Sequence, residues 1–402
     1  MSQTDANWVA GWAGALAGPA ASIQPMRDVT VPLRLPVSLG GSAIRLVLSN
    51  AYGRQPLKIG AASVTIVAAD GSEGPVSRVR FAGEDAISIA EGAPALSDPV
   101  AVAVSANQTV LVKLYIPEEV LPETTVRQQS PDMPATHPFY RSQPDPPLAR
   151  SAPGNQVDAN GLSESGPGPA AFLGRIDVLA RAPARTIAVV GTTFTDGFDV
   201  WPDMLAAVLA ERGLTHLAIV NLSARAGNIA RSSIQGGQPA LVALLDRDIL
   251  TLPGLTHVVL ADARHDLASA GAPMIRADGT TPTGAADADT RTTDASLLKS
   301  AYLQLAARLH AHGVKVIVAT MPPFQGVDPN YYSPAKDDLR EELNRWLVES
   351  PAFDGIIDID GQIRDPDDVR RFRPEYESSN RWAPNLAGHR LIAETVDLAL
   401  FD

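Results

Sequence analysis

Thr193 places a hydroxyl inside the run Gly191-Thr192-Thr193-Phe194-Thr195-Asp196-Gly197, between an apolar segment and a helical one. A hydroxyl attacks a carbonyl only when an adjacent base takes its proton and a third group orients that base. The methyl of threonine restricts χ1 and crowds the approach. Threonine nucleophiles elsewhere use an N-terminal amine as the base, which position 193 does not have. Chemistry at Thr193 therefore depends on a base supplied from another part of the chain.

The flanking segments say how Thr193 would be held. Thr186 to Val190 is short, apolar and β-branched, the pattern of a buried parallel strand. Gly191 permits a tight exit, and Trp201 to Arg212 reads as an amphipathic helix with Pro202 at its start. Such a strand-loop-helix unit delivers loop side chains and backbone N–H groups to the carboxyl edge of a sheet, where α/β sites form.

From Thr186 onward the chain resembles the SGNH hydrolase family, also called GDSL lipases or esterases, in its bacterial two-domain form. Its first block, Gly-Asp-Ser-Ile-Thr-Asp-Gly, is matched by Gly191, Phe194, Thr195, Asp196 and Gly197, with Thr192 and Thr193 in place of the Asp and Ser. The second block resembles Asn221-Leu-Ser-Ala-Arg-Ala-Gly227-Asn228, one residue longer than usual, so Ala226 and Gly227 both compete for the oxyanion-hole glycine position. In the third, Gly-x-Asn-Asp becomes Ala263-Arg264-His265-Asp266, which gives His265 the place of the side-chain oxyanion donor. The last, Asp-x-x-His-Pro-Asn, becomes Asn380-Arg381-Trp382-Ala383-Pro384-Asn385, without the general base or its carboxylate.

The resemblance implies an α/β fold with a flavodoxin-like parallel sheet covered by helices. It also implies a pocket lined by Thr192, Arg225, Gly227, Asn228, Arg264, Asn380 and Arg381, with Thr193 and His265 as candidate catalytic residues. Seven histidines could replace the missing base, at 137, 216, 257, 265, 310, 312 and 389. His310 and His312 are two apart on a predicted helix and face different ways, so they do not make a metal site. His216 precedes a predicted strand and His257 stands at the start of another, where half-exposed edge positions are expected. His389 follows Gly388 at the start of the final helix, where packing is the expected role.

His265 alone falls in the implied pocket. It is either a general acid/base or oxyanion donor, or a hydrogen-bonding core group with Asp266 bracing its loop. Arg225, Arg264 and Arg381 each fall in a loop of the same sheet edge. They would either recognise an anion or pair with Asp262 and Asp266.

The rest of the chain sets the frame. At 402 residues it exceeds one core, which predicts two domains, 1–182 and 183–402. Val29 to Val37, Ala43 to Ser49, Ser63 to Ala68, Val100 to Val104, Thr109 to Ile116 and Ala171 to Ala180 read as strands, so residues 1–182 form an all-β sandwich or jelly roll. Residues 142–169, rich in Pro, Gly and Ser, read as a mobile loop. In the second domain, Leu217 to Asn221, Thr256 to Ala261, Val314 to Ala319 and Gly355 to Ile359 are strands between helices, which predicts a parallel sheet covered on both faces. Ala270 to Asp294 is a long polar loop, a lid or a disordered insertion.

A net charge of -12 gives no support for nucleic-acid or anionic-membrane partners. The absence of cysteine removes disulfides, thiolate catalysis and cysteine-held metals; neither a metal nor a cofactor is expected. Val9 to Ala21 is apolar but is not preceded by a positive n-region and is broken by Pro19, so it is expected to be structural, beginning the fold at Trp8 and Trp12, in a cytoplasmic protein. Three functions remain. The first is a non-hydrolytic SGNH-like protein, a pseudoenzyme or a repurposed catalyst, taking a small molecule such as an ester or an anion. The second is an unconventional esterase using Thr193 with His265. The third is an interaction protein acting through its β-domain.

Overall fold

The computed structural model describes residues 6–18, 25–126, 152–162, 170–191, 200–223, 227–232, 239–271, 294–327, 329–378 and 381–402. The chain divides into two compact units. One comprises Met1–Gln128, Gln143–Thr186 and Leu209–Val220; the other comprises Gln129–Ser142, Ile187–Val208 and Asn221–Asp402.

Up to Arg181 every regular element among the described residues is a strand. Those of the two larger sheets are β1 (Ala6–Ala13), β2 (Val29–Val37), β3 (Ile44–Ser49), β4 (Ala61–Val67), β5 (Ser77–Val79), β6 (Pro94–Leu96), β7 (Gln108–Ile116), β8 (Ala152–Pro153) and β9 (Leu173–Arg181). They make a four-stranded sheet in the order β1-β9-β3-β6 and a five-stranded one in the order β8-β2-β7-β4-β5. Val110 to Leu114 in the middle of β7 are all fully buried, Leu111 and Lys113 as well as Val110, Val112 and Leu114, so both faces of this central strand are covered. The predicted strand Val100 to Val104 is not one. Val100 and Val104 make single bridges, to Ile44 and Gly41, without a continuous ladder.

Part of the stretch expected to be mobile is anchored. Residues 152–162 lie along the five-stranded sheet, where Thr30 donates to the Gly154 carbonyl (2.7 Å) and Ser63 to that of Val157 (2.6 Å), and the Lys113 ammonium donates to Ala159. Val157 is fully buried beneath this row. Composition registers the low hydrophobicity of the segment but not the three strand side chains that satisfy its carbonyls.

The α/β part holds β10 (Arg185–Val190), α1 (Trp201–Glu211), β11 (Leu217–Asn221), β12 (Leu255–Leu260), α2 (Arg264–Ala268), α3 (Ala295–Ala311), β13 (Lys315–Ala319), α4 (Pro334–Glu349), β14 (Gly355–Ile357) and α5 (Leu386–Thr395). The sheet order is β11-β10-β12-β13-β14, with β12/β13 and β13/β14 parallel. Ile187 to Val190 and Val258 to Leu260 are completely buried, which is why these strands read as continuous apolar runs. Helix starts follow local chemistry: Asp294, Ser333 and Asn385 accept from Leu297, Lys336 and Gly388 as N-caps, with Pro334 opening α4.

The chain steps from β10 outward to β11 and then to the other side at β12. Ligand crevices of open sheets lie outside the carboxyl ends at such a reversal, between the loops after β10 and β12. Among the described residues no helix is long and apolar enough to cross a membrane.

Candidate functional site

The loop after β12 begins at Ala261, whose N–H donates to the Val190 carbonyl (2.7 Å) and so ties it to the end of β10. Asp262 and Arg264 follow, both 1 % exposed. The Asp262 carboxylate accepts from the Arg264 backbone N–H (2.9 Å), Nε (3.1 Å) and Nη2 (3.3 Å). The same guanidinium donates to the Pro323 carbonyl (3.1 Å) and the Trp382 carbonyl (2.7 Å). Arg264 thus joins three loops of one sheet edge, using the planar fork that lysine does not have.

His265 comes next, 5 % exposed, with Nδ1 2.9 Å from the Asn228 side-chain oxygen. Asp266 is the brace. Its two carboxylate oxygens accept from the backbone N–H groups of Ile229 (2.7 Å) and Ala230 (3.1 Å), and its carbonyl accepts from Arg231 Nη2 (2.8 Å). Complete burial pushes the Asp266 carboxyl up to about 7, against the lowering effect of the two N–H groups and the Arg231 charge. The Tyr302 hydroxyl, fully buried on α3, is raised by burial and then by Asp262 and Asp266.

The described residues before α5 are tied to one another. Glu377 and Pro384 form a bridge, Ser378 Oγ donates to the Ala383 carbonyl (2.5 Å), and Asn385 N–H donates to Tyr376 (2.9 Å). Trp382 stacks on Phe324 (6.2 Å between ring centroids) and meets Tyr331 edge-on (5.7 Å). Arg381, at φ 59°, pairs with Glu377 (2.8 Å).

Gly326, at φ 91°, lies directly under the Arg381 side chain; a Cβ there would come within 2.6 Å of Nη1 and 2.7 Å of Cδ. Gly326→Ala is expected to destabilise by about 1–3 kcal/mol, through its positive φ and the displaced arginine. Chemical denaturation would show part of that loss vanish in an Arg381→Ala background; an equal loss in both backgrounds would leave only the backbone strain.

The structure brings His265, Asn228, Arg264 and Arg381 to neighbouring loops, with Gly227 buried just before Asn228. Thr192, Thr193, Arg225, Ala226 and Asn380 lie outside the described residues, as do His137 and most of the predicted lid. The two described candidate arginines already have carboxylate partners: Arg264 is buried on Asp262 and Arg381 is paired with Glu377.

His257 is a correction. It sits within β12, 2 % exposed, bonded through Nδ1 to Thr256 Oγ1 (2.8 Å) and edge-on to Phe401, because β12 starts at Leu255 in the middle of the sheet. His310 pairs with Asp354 (2.8 Å) near the end of α3. His389 is buried with Nδ1 accepting from the Trp201 N–H (3.3 Å) at the start of α1, and burial lowers it to about 3.

Sequence reasoning missed the Asn228–His265 pairing, Arg231 and Tyr302. The one available signal was Asn228 standing beside the second block while His265 stands in the third. Among the described residues no group of three His, Cys, Asp or Glu side chains is arranged to hold a metal.

No family model matches the chain, and no curated protein matches it. Solved structures similar to it include an α/β hydrolase enzyme from the metagenome of Lake Arreo, 19 % identical, with a TM-score of 0.38 over 54 % of this chain and 95 % of that one. A member of the lipolytic G-D-S-L family from Veillonella parvula is 14 % identical, with a TM-score of 0.35 over 52 % and 95 %. A catalytic mutant of an acetylxylan esterase from Geobacillus stearothermophilus is 13 % identical, with a TM-score of 0.38 over 54 % and 93 %. Likeness at this level leaves the activity to be argued from the site.

Proposed function

We propose that this protein is an SGNH-hydrolase-like protein that has kept the loops around the sheet reversal and given up Ser-His-Asp hydrolysis, so that it binds a small molecule without cleaving it. The carrying observation is the loop before α5. Where a proton relay would have to stand, Ala383 offers only a carbonyl held by Ser378, and Trp382 is packed between Phe324 and Tyr331 with its carbonyl held by Arg264. That loop is a strut. His389 does not substitute for the missing base, since its Nδ1 is engaged by Trp201 and burial keeps it neutral.

An ester or another neutral acyl compound suits this site better than an anion, because both described candidate arginines already have carboxylate partners. The β-rich unit, which we read as a sandwich or jelly roll, would then be an accessory. A second reading, a catalyst repurposed for non-hydrolytic chemistry, is favoured by one specific feature, the buried and oriented His265.

Purified protein is expected to hydrolyse p-nitrophenyl acetate and butyrate no faster than the buffer, and Thr193→Ala is expected to leave that background unchanged. Robust turnover that disappears in Thr193→Ala would restore an esterase with a threonine nucleophile.

A further inference from the structure

We infer that residues 152–162 are a releasable strap on the five-stranded sheet, one that leaves its face as a single piece while the strands beneath stay folded, and that controls access to the Lys113 amine. The strap is attached to the sheet without being part of its ladder. Only Ala152 and Pro153 pair with a strand, opposite Thr30 and Val29 at the edge formed by β2. The ladder of β2, β7 and β4 is complete without it, from Gln108 against Val37 to Ile116 against Val29 on one side and from Thr109 against Val67 to Tyr115 against Ala61 on the other.

Beyond Pro153 the strap is held by a row of side chains. Thr30 donates to the Gly154 carbonyl and accepts from the Gln156 N–H (2.9 Å), Ser63 donates to the Val157 carbonyl, Lys113 to that of Ala159, and Glu73 accepts from the Gly161 N–H (3.1 Å). Asp158 pairs with Arg78. Within the strap only Val157 and Leu162 are buried apolar side chains. So little apolar burial against the entropy of ordering the whole segment places it at the low-stability end of its unit.

The face below is imperfectly matched to its cover. Lys113 and Ser63 stand opposite each other in the register of β7 with β4, and Thr65 follows Ser63 on the same face by the period of two. All three are 0 % exposed. Lys113 has Glu73 as its carboxylate at 3.9 Å, beyond hydrogen-bond distance, while Glu73 is also engaged by Arg34 (2.8 Å) and by Gly161. The Thr65 hydroxyl has no hydrogen-bond partner among the described residues. Antiparallel sheets carry side chains of this kind on a solvated face, and burying them costs hydration that is returned when water reaches them. Opening therefore exchanges the strap's bonds for hydration of Lys113 and Thr65. It uncovers a face lined by hydroxyl donors, with a primary amine on the central strand.

Hydrogen exchange of the full chain, read at single amides, tests this together with the rate at which N-hydroxysuccinimide acetate acylates Lys113. The Gly154, Gln156 and Gly161 amides are expected to be protected at least about tenfold less than those of β7. Val157→Asp, which sets a carboxylate in the buried position and leaves the sheet face unchanged, should raise strap exchange and Lys113 acylation together by about tenfold or more, with β7 protection unaltered. Ser63→Ala removes one strap bond and should move both readouts the same way by a smaller factor. Strap amides as well protected as those of β7 would overturn the strap, as would a Val157→Asp chain that loosens β7 equally or does not fold, since the sheet is expected to stand without its cover. Lys113 acylation that stays constant while strap exchange rises in either variant would overturn the control of access.

Discussion

Arg264→Met is expected to lower the stability of the protein by about 3–5 kcal/mol, the usual consequence of breaking a buried ion pair from one side. The substitution keeps much of the side-chain volume and removes every bond the guanidinium makes. Asp262, 1 % exposed, would be left as a buried carboxylate whose remaining partner is the backbone N–H of residue 264. The carbonyls of Pro323 and Trp382 would lose their donor as well. Arg264→Lys should recover only part of the loss, since an ammonium does not span Asp262, Pro323 and Trp382 together. Adding Asp262→Leu to Arg264→Met should return a measurable part of it, because the stranded charge then disappears. Urea midpoints for the single and double variants measure this. A loss under about 1 kcal/mol for Arg264→Met would mean the three loops are held by other contacts.

The second large effect concerns pH. Asp266 has its carboxyl raised to about 7 in the folded chain, above its ordinary 3.8. Between those values the folded state holds a proton that the unfolded state has released, so this group makes stability fall as pH rises. His389 is lowered to about 3 from 6.5. Between those values the unfolded state holds the extra proton, so this group makes stability rise with pH and takes it away on acidification. From about pH 4 to 6.5 the two trends oppose each other, each at roughly 1.4 kcal/mol per pH unit at its steepest.

Stability contributed by these two groups should therefore be nearly flat across that window. Removing one should expose the other. His389→Gln should give a protein that loses stability from pH 4 toward 7, and Asp266→Asn one that gains it. Urea midpoints at about five pH values would test this. Parallel pH profiles for both variants and the parent would show that neither group titrates as its burial demands.

Much of the α/β scaffold was legible because its strands are uniformly apolar. Leu217–Asn221 was read to the residue, and β10, β12 and β13 to within one. β1 was harder, since Ala and Gly dominate it; its strand character comes from pairing with β9, from Ala6 against Arg181 to Ala13 against Arg175. Local pattern does not carry that information. The site was legible as a set of positions and illegible as a set of bonds. His265 and Asn228 could each be placed by motif, but their contact spans 37 residues of chain, and so does that of Asp266 with Ile229. His257 was misread because a half-exposed strand start and a buried strand interior differ here by two residues. Arg264 could be placed beside Asp262, yet nothing in the sequence says that Pro323 and Trp382 face it.

The clamp between α2 and residues 228–231 also bears on inheritance. The two side chains of Asn228 and His265 meet in a buried contact: without a ring at 265 the amide of Asn228 loses the partner at its oxygen, and without that amide His265 loses the partner at Nδ1. A lineage carrying this site can lose or replace the two together more readily than singly. Positions 228 and 265 should therefore change as a unit between close relatives of this chain, while Asp266, whose carboxylate accepts from two backbone N–H groups, should stay in place whichever way that unit goes.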